Sequence, residues 1–210
     1  MTRFIIVRHG QTEWNAENRY QGQEDSPLST TGHAQAEALA RRAAGSHCRV
    51  LYSSDLGRAQ QTADYVARAL GTTINLDRRL RERDLGVFEG LTVAELEQKY
   101  PHDFTRYKSG DQFFVVPNGE SAMQLQARAM ECLDELALRH KGENILVVAH
   151  GGLLSAVLRY ILMVPPEAPR RFRRPNGSWN VFTHNKGVWK VETWGDVSHL
   201  SLFPAPGQDI

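Results

Sequence analysis

The sequence predicts an α/β protein: a three-layer α/β/α sandwich with a mostly parallel central sheet and an antiparallel edge. Three observations carry this expectation. Two short unbroken apolar runs, Phe4-Ile5-Ile6-Val7 and Ile145-Leu146-Val147-Val148-Ala149, have the character of strands covered on both faces. Between them apolar residues recur at helical spacing, so strands alternate with helices as in a layered α/β domain. Near the end, two strand-like runs flank His184-Asn185-Lys186-Gly187, a hairpin pattern. The 210 residues suit a single domain over 1–210, long enough to bury a sizeable core.

The first run ends at Arg8-His9-Gly10 and gives way to a polar stretch rich in turn residues. Thr30-Thr31-Gly32 reads as a helix start, with Ala34, Ala36, Ala38, Leu39 and Ala43 continuing the segment. Val50-Leu51-Tyr52 is a second strand. Ser53-Ser54-Asp55 offers side chains to cap the helix through Ala59, Ala63, Val66 and Leu70, with Arg58 in its first turn. Thr92 and Glu95 form a capping-box pattern, predicting a helix from about Val93 that stops before Pro101. Ser121 to about Arg139 carries Leu125, Ala129, Leu133 and Leu136 at helical spacing. A further helix should follow the second buried run, up to about Leu162, halted by Pro165-Pro166. Trp179 to Thr183 and Val188 to Thr193 complete the hairpin.

Composition narrows the function. Lys and Arg number 25 against 24 Asp and Glu, a net charge of +1, which gives no bulk attraction to nucleic acid or an acidic membrane. Only four consecutive apolar residues precede Arg8, too few for a signal peptide core or a membrane span, so a cytoplasmic protein is expected. Cys48 and Cys132 lie in apolar contexts and read as buried thiols. Arg170-Arg171-Phe172-Arg173-Arg174 is basic, but in a chain of this charge it reads as a loop that can extend the positive field of a binding pocket toward an anionic substrate, not as a nucleic-acid patch.

One self-similarity points to chemistry. Val7-Arg8-His9-Gly10 and Val148-Ala149-His150-Gly151 both put a histidine and a glycine at the carboxyl end of a buried strand. Ligands of open α/β sheets gather outside those ends, so the two histidines should converge on one pocket. Gly151 opens a helix whose unpaired N–H groups favour an anion. Arg8 and Arg58 add guanidiniums, whose planar fork matches phosphate oxygens.

These residues resemble the histidine phosphatase superfamily, which contains cofactor-dependent phosphoglycerate mutase and many phosphatases. Arg8-His9-Gly10-Gln11-Thr12-Glu13-Trp14-Asn15 is similar to its signature, and further blocks follow in order. They are Leu28 to Ala36, Tyr52 to Ala63, Leu80 to Gly90, Gly119-Glu120-Ser121, His150-Gly151, and Asp196 with His199-Leu200. The resemblance implies a phosphoglycerate mutase-like version of the sandwich. It makes His9 the nucleophile that becomes phosphorylated, with Arg8, Arg58 and His150 on the phosphoryl group. Asn15 and the Gly151 N–H add contacts, and Gln21 and Gly22 line the site. Glu82 matches the proton donor, with Asp84 the fallback and more naturally a loop cap. Phosphoryl transfer needs an in-line nucleophile, neutralised oxygens and a proton for the leaving group, and this set supplies all three with no metal and no cofactor. Cationic neighbours should keep His9 neutral and able to attack.

The resemblance leaves the acceptor to be decided. Only Leu91 to Asn118 separates the acid segment from Gly119, and that segment reads Arg-Asp-Leu-Gly-Val-Phe-Glu-Gly, as in the phosphatases, so hydrolysis of small phosphomonoesters is favoured over the mutase reaction. A non-catalytic binder of phosphorylated ligands is the other class of reading. Against a zinc hydrolase, no HExxH or clustered Cys/His spacing occurs, and no Walker A or GxGxxG motif suggests nucleotide chemistry. Trp14, Phe88 and residues of Tyr107 to Val116, particularly Phe113 and Phe114, are candidates for the pocket rim. The late hairpin offers an edge through which two copies could pair as a homodimer.

Overall fold

In a computed structural model, residues 1–200 are described. Six strands form one sheet in the order β3-β2-β4-β1-β5-β6: β1 (Thr2–Arg8), β2 (Val50–Ser53), β3 (Ile74–Leu76), β4 (Asn144–Ala149), β5 (Trp179–Asn185) and β6 (Val188–Asp196). The first four are parallel, and β5 and β6 form the antiparallel edge. The predicted architecture is the one observed. Alternate residues of β1 serve opposite faces, as strand pleating requires. Phe4 and Ile6 join a core with Leu125, Leu133, Leu136, Leu154 and Val157; Ile5 and Val7 join one with Leu39, Ala59, Ala63 and Val66.

Helices supply the outer layers: α1 (Glu13–Ala16), α2 (Thr30–Ala44), α3 (Gly57–Leu70), α4 (Val93–Lys99), α5 (Pro101–Lys108), α6 (Ala122–Arg139) and α7 (Gly151–Ile161). The capping box on α4 forms as predicted, and Ser121 caps α6 in the same way. Pro101 does end α4. It also occupies the first position of α5, where its missing N–H costs nothing, so a helix appears that the sequence reading lacked. Leu85, Phe88, Leu96, Phe104, Phe114 and Val116 form a third apolar cluster beneath α4 and α5.

Two local expectations are corrected. Ser53-Ser54-Asp55 does not cap α3: its N-cap is Leu56, with no side-chain cap bond. Asp25, from a distant loop, accepts from the Arg58 N–H at 3.3 Å instead, while Asp55 pairs with Arg81 at 2.6 Å. The hairpin turn is also tighter than expected. Lys186 and Gly187 both take positive φ, 49° and 81°, a two-residue turn that lets pairing continue to Asn185 and Val188. Cys48 and Cys132 are buried thiols, as predicted.

Candidate active site

Chain order alone would separate the two His-Gly turns, but β4 is inserted beside β1. The parallel register pairs Arg8 with Ala149, so His9 and His150 leave adjacent strands at the same level. The His9 N–H donates to the Ala149 carbonyl at 3.0 Å, and the two rings lie 5.2 Å apart. His9 Nδ1 is 2.7 Å from the Gly10 carbonyl oxygen. A carbonyl only accepts, so Nδ1 carries the proton and Nε2 keeps its lone pair. Burial, then the Arg58 and Arg8 charges, hold the His9 pKa well below its ordinary value, and the ring is neutral. His150 is depressed in the same direction by burial and then by the Arg58 charge. Neither ring nitrogen of this fully buried residue has a hydrogen-bond partner among the described residues. An unmet buried donor costs about 1–3 kcal/mol, which favours a ligand that meets it.

Arg58 is 1% exposed, yet its terminal nitrogens are committed to protein. They donate to the Gly22 and Glu24 carbonyls at 2.7 and 2.8 Å and to Asp25 at 2.9 Å. Only the buried Nε lacks a partner among the described residues. Arg58 therefore shapes the 22–25 loop as well as charging the pocket. Glu89 holds the opposite side of that loop, accepting from the Gln23, Glu24 and Leu85 N–H groups at 2.7, 2.9 and 2.9 Å. Gly22 has to be glycine here: φ is +54°, and a Cβ would sit 1.9 Å from the Glu89 carboxylate.

Glu82 sits on the loop after the 3-10 turn Arg78–Leu80. Its Oε1 accepts from the Arg83 N–H and its Oε2 from the Gly152 N–H, both at 2.8 Å. This loop is pinned from behind by Arg128 of α6. The guanidinium donates to the carbonyls of Arg79, Arg81 and Glu82 at 2.9, 2.9 and 2.7 Å and pairs with Glu120. Asp84 accepts from the Gly86 N–H at 2.9 Å and caps the next turn, the loop role expected of it.

A cavity of about 530 Å³ gathers these groups, with Arg8, His9, Asn15, Gln21, Gly22, Arg58 and Glu82 in its lining. His150 and Gly151 are buried behind that surface, and the lining glycine is Gly152. Asn15 closes the capping box of α1 and accepts from Asn176 at 3.2 Å; Gln21 accepts from Thr12 at 3.0 Å. The aromatic rim expectation is corrected. Phe88 and Phe114 are buried under α4 and α5 by their own cluster, Phe113 points to solvent, Trp14 packs near Gly90, and none lines the cavity. Of the segment Tyr107 to Val116, residues Tyr107 to Gln112 do line it, together with Tyr20, Arg159, Arg170 and Arg174. Among the described residues no group of three or more His, Cys, Asp or Glu is placed to hold a metal ion. Nor is any helix there long and apolar enough to cross a membrane.

Residues 4–197 match the histidine phosphatase superfamily (branch 1). The chain belongs to this superfamily. A relative from Enterobacter sp. (strain 638), named "Probable phosphoglycerate mutase GpmB", is 38% identical over all of this chain and 98% of its own length. Among solved structures, Bacillus stearothermophilus YhfR superposes with a TM-score of 0.89 at 33% identity, covering 95% of this chain and 100% of that one. A mycobacterial glucosyl-3-phosphoglycerate phosphatase superposes with a TM-score of 0.81 at 31% identity, covering 92% and 98%. Membership of the histidine phosphatase superfamily agrees with His9, Arg8 and Arg58 lining one cavity with His150 packed close behind, and with the phosphatase named among the solved structures.

Proposed function

We propose that this protein is a metal-independent phosphomonoesterase that hydrolyses small phosphorylated metabolites through a phosphohistidine on His9. The observation that carries the reading is the 2.7 Å contact between His9 Nδ1 and the Gly10 carbonyl. It fixes the tautomer with a nucleophilic Nε2 on a ring that burial and two arginines keep neutral. In the first step Nε2 attacks phosphorus, the P–O bond to the alcohol breaks, and protonated Glu82 gives its proton to the departing oxygen. In the second, the Glu82 carboxylate takes a proton from water, the hydroxide attacks phosphorus, and the P–N bond breaks to release phosphate. Arg8 and Arg58 neutralise the non-bridging oxygens, and the neutral His150 ring behind them can donate a hydrogen bond to the phosphoryl group. Asn15, Gln21 and Gly22 complete the wall around the phosphoryl group, with the Gly151 N–H behind it.

Hydrolysis is favoured over transfer to a second hydroxyl by the segment between Gly90 and Gly119. It is occupied by two short helices folded onto their own apolar cluster, with no room for a long water-excluding insertion. The relative named as a mutase favours the second reading. The test is phosphate release from a panel of phosphomonoesters in excess chelator, with 3-phosphoglycerate followed for conversion to its 2-isomer. Release that disappears in His9→Ala is the expected result. Isomer conversion outrunning release would make the protein a mutase, and full activity in His9→Ala would remove the phosphohistidine.

A further inference from the structure

One wall of the cavity has no part in the chemistry above. It consists of Tyr20, Tyr107 and a strap of chain after α7 that brings Arg170 and Arg174 into the lining. Buried Arg159 donates to the carbonyls of Pro165, Pro166 and Ala168 at 2.6, 3.1 and 2.9 Å, fixing the start of the strap. Its end is held where Arg8 Nη1 donates to the Arg174 carbonyl, beside His9. Between these anchors Phe172 packs on Trp194 at 5.2 Å, and the Trp194 indole donates to the Arg173 carbonyl at 3.0 Å. Phe172 is thus turned toward β6, while Arg170, whose Nη1 also donates to the Phe172 carbonyl at 3.2 Å, and Arg174 line the cavity. Four residues of extended chain span at most about 13 Å, so the Arg170 backbone lies within that distance of Arg174.

The two tyrosines have the matching chemistry. Their rings are 5.7 Å apart, edge to face, and neither hydroxyl hydrogen-bonds another described residue. Burial raises both phenols, so each remains an O–H donor, while Arg170 and Arg174 are near enough to act on both electrostatically. The acidic residue of the neighbouring loop, Asp111, is paired with Arg106 at 2.9 Å and accepts from the Phe113 N–H. The wall therefore presents phenol donors and guanidiniums together, a set suited to an anion.

We propose that Tyr20, Tyr107, Arg170 and Arg174 form a second-anion subsite, which selects phosphomonoesters whose alcohol part carries a further carboxylate or phosphate. The inference rests on the phosphatase reading for the position of the first anion. Binding is best measured by calorimetry in a His9→Ala background, where turnover does not interfere. The ligands are glycerol 3-phosphate, with no second anion, 3-phosphoglycerate, with a carboxylate, and fructose 1,6-bisphosphate, with a second phosphate. At least one of the last two should bind tenfold or more tightly than the first, and which one identifies the second group. Adding Arg170→Gln should erase most of that gap. Tyr107→Phe, which keeps the ring packing, should narrow it about threefold. Equal affinities for all three ligands, or a gap that survives both substitutions, would overturn the subsite. Phosphate release by the wild-type protein decides the other reading separately: a binding gap without release would remove the phosphatase assignment and leave the subsite standing.

Discussion

Gly152→Ala isolates the position of Glu82 from the stability of the fold. A Cβ at residue 152 would stand 2.2 Å from Glu82 Oε1, 2.9 Å from its Cδ and 3.2 Å from Oε2. Restoring ordinary contact requires the carboxyl group to retreat by about 1.2 Å, and a displacement of that order can cost about 10²-fold in rate. What moves is the end of a flexible side chain on a partly exposed loop, and alanine is the better helix former by about 1 kcal/mol, so the melting temperature should hold or rise. Retreat also breaks the 2.8 Å bond from the Gly152 N–H that orients Oε2. An acid out of place matters only where the leaving oxygen needs a proton. We therefore expect kcat on an alkyl phosphate such as glycerol 3-phosphate to fall about 10²-fold, toward the full contribution of a general acid, about 10²–10⁴. On p-nitrophenyl phosphate, whose leaving group departs as the anion, the loss in the phosphorylation step should be under about tenfold. Single-turnover rates on both substrates measure this step directly. Equal losses on the two, or none on either, would refute both the placement of Glu82 and its role as the acid.

Three further outcomes are expected. Glu82→Gln should show the same leaving-group split with the loop geometry kept, and a fall of equal size on both substrates would leave Glu82 as a structural residue. Arg128→Met should lower the urea-derived stability by about 3 kcal/mol, because it strips three carbonyls and Glu120 of their charged donor; a change under about 0.5 kcal/mol would mean that the acid loop is held by other contacts. The pH dependence of stability should carry the sign set by His9 and His150. Both stay neutral in the fold below the ordinary value of 6.5, where the unfolded chain takes up protons. The unfolded state then binds more protons, so stability is full above that value and falls with acid, by at most about 2.7 kcal/mol per pH unit for the pair. Urea midpoints at neutral and mildly acidic pH should show this slope, and His150→Asn should flatten it. A slope unchanged in that variant would mean that His150 is not the buried neutral group described.

What the sequence made legible is what local pattern encodes. The apolar runs of β1 and β4, the Thr92 cap and the paired His-Gly turns are each written within a few consecutive residues, and each stands where it was expected. The failures share one cause. Asp25 caps α3 from 33 positions away, so the nearby serines looked like the natural capping acceptors. Pro101 carries two meanings, stop and start, and only packing of Phe104 into the third cluster decides that a helix follows. Phe88 and Phe114 read as rim residues because an aromatic side chain near a pocket fits a core equally well. Tyr20 carried no signal toward the site, Tyr107 only its place in the segment expected at the rim, and the strap arginines only the basic run Arg170 to Arg174, which reads as extending the positive field of the pocket.

The same contrast separates chemistry from selectivity in this cavity. His9, Arg8 and His150 are fixed by strand ends in register, and Glu82 is locked by Arg128 and the first turn of α7. The first constraint runs through backbone hydrogen bonds of the central sheet and the second through the Arg128 side chain of α6, a helix whose other face packs into the apolar core. The wall that would read the rest of the substrate is built differently, from a tethered strap and two short helices around a separate small core. Substitutions there disturb few contacts of the main sheet. A phosphoryl-transfer centre held by the sheet beside a recognition wall held by loops can change its substrate without rebuilding its reaction, which is how relatives of one fold can bear the names of a mutase and of a phosphatase.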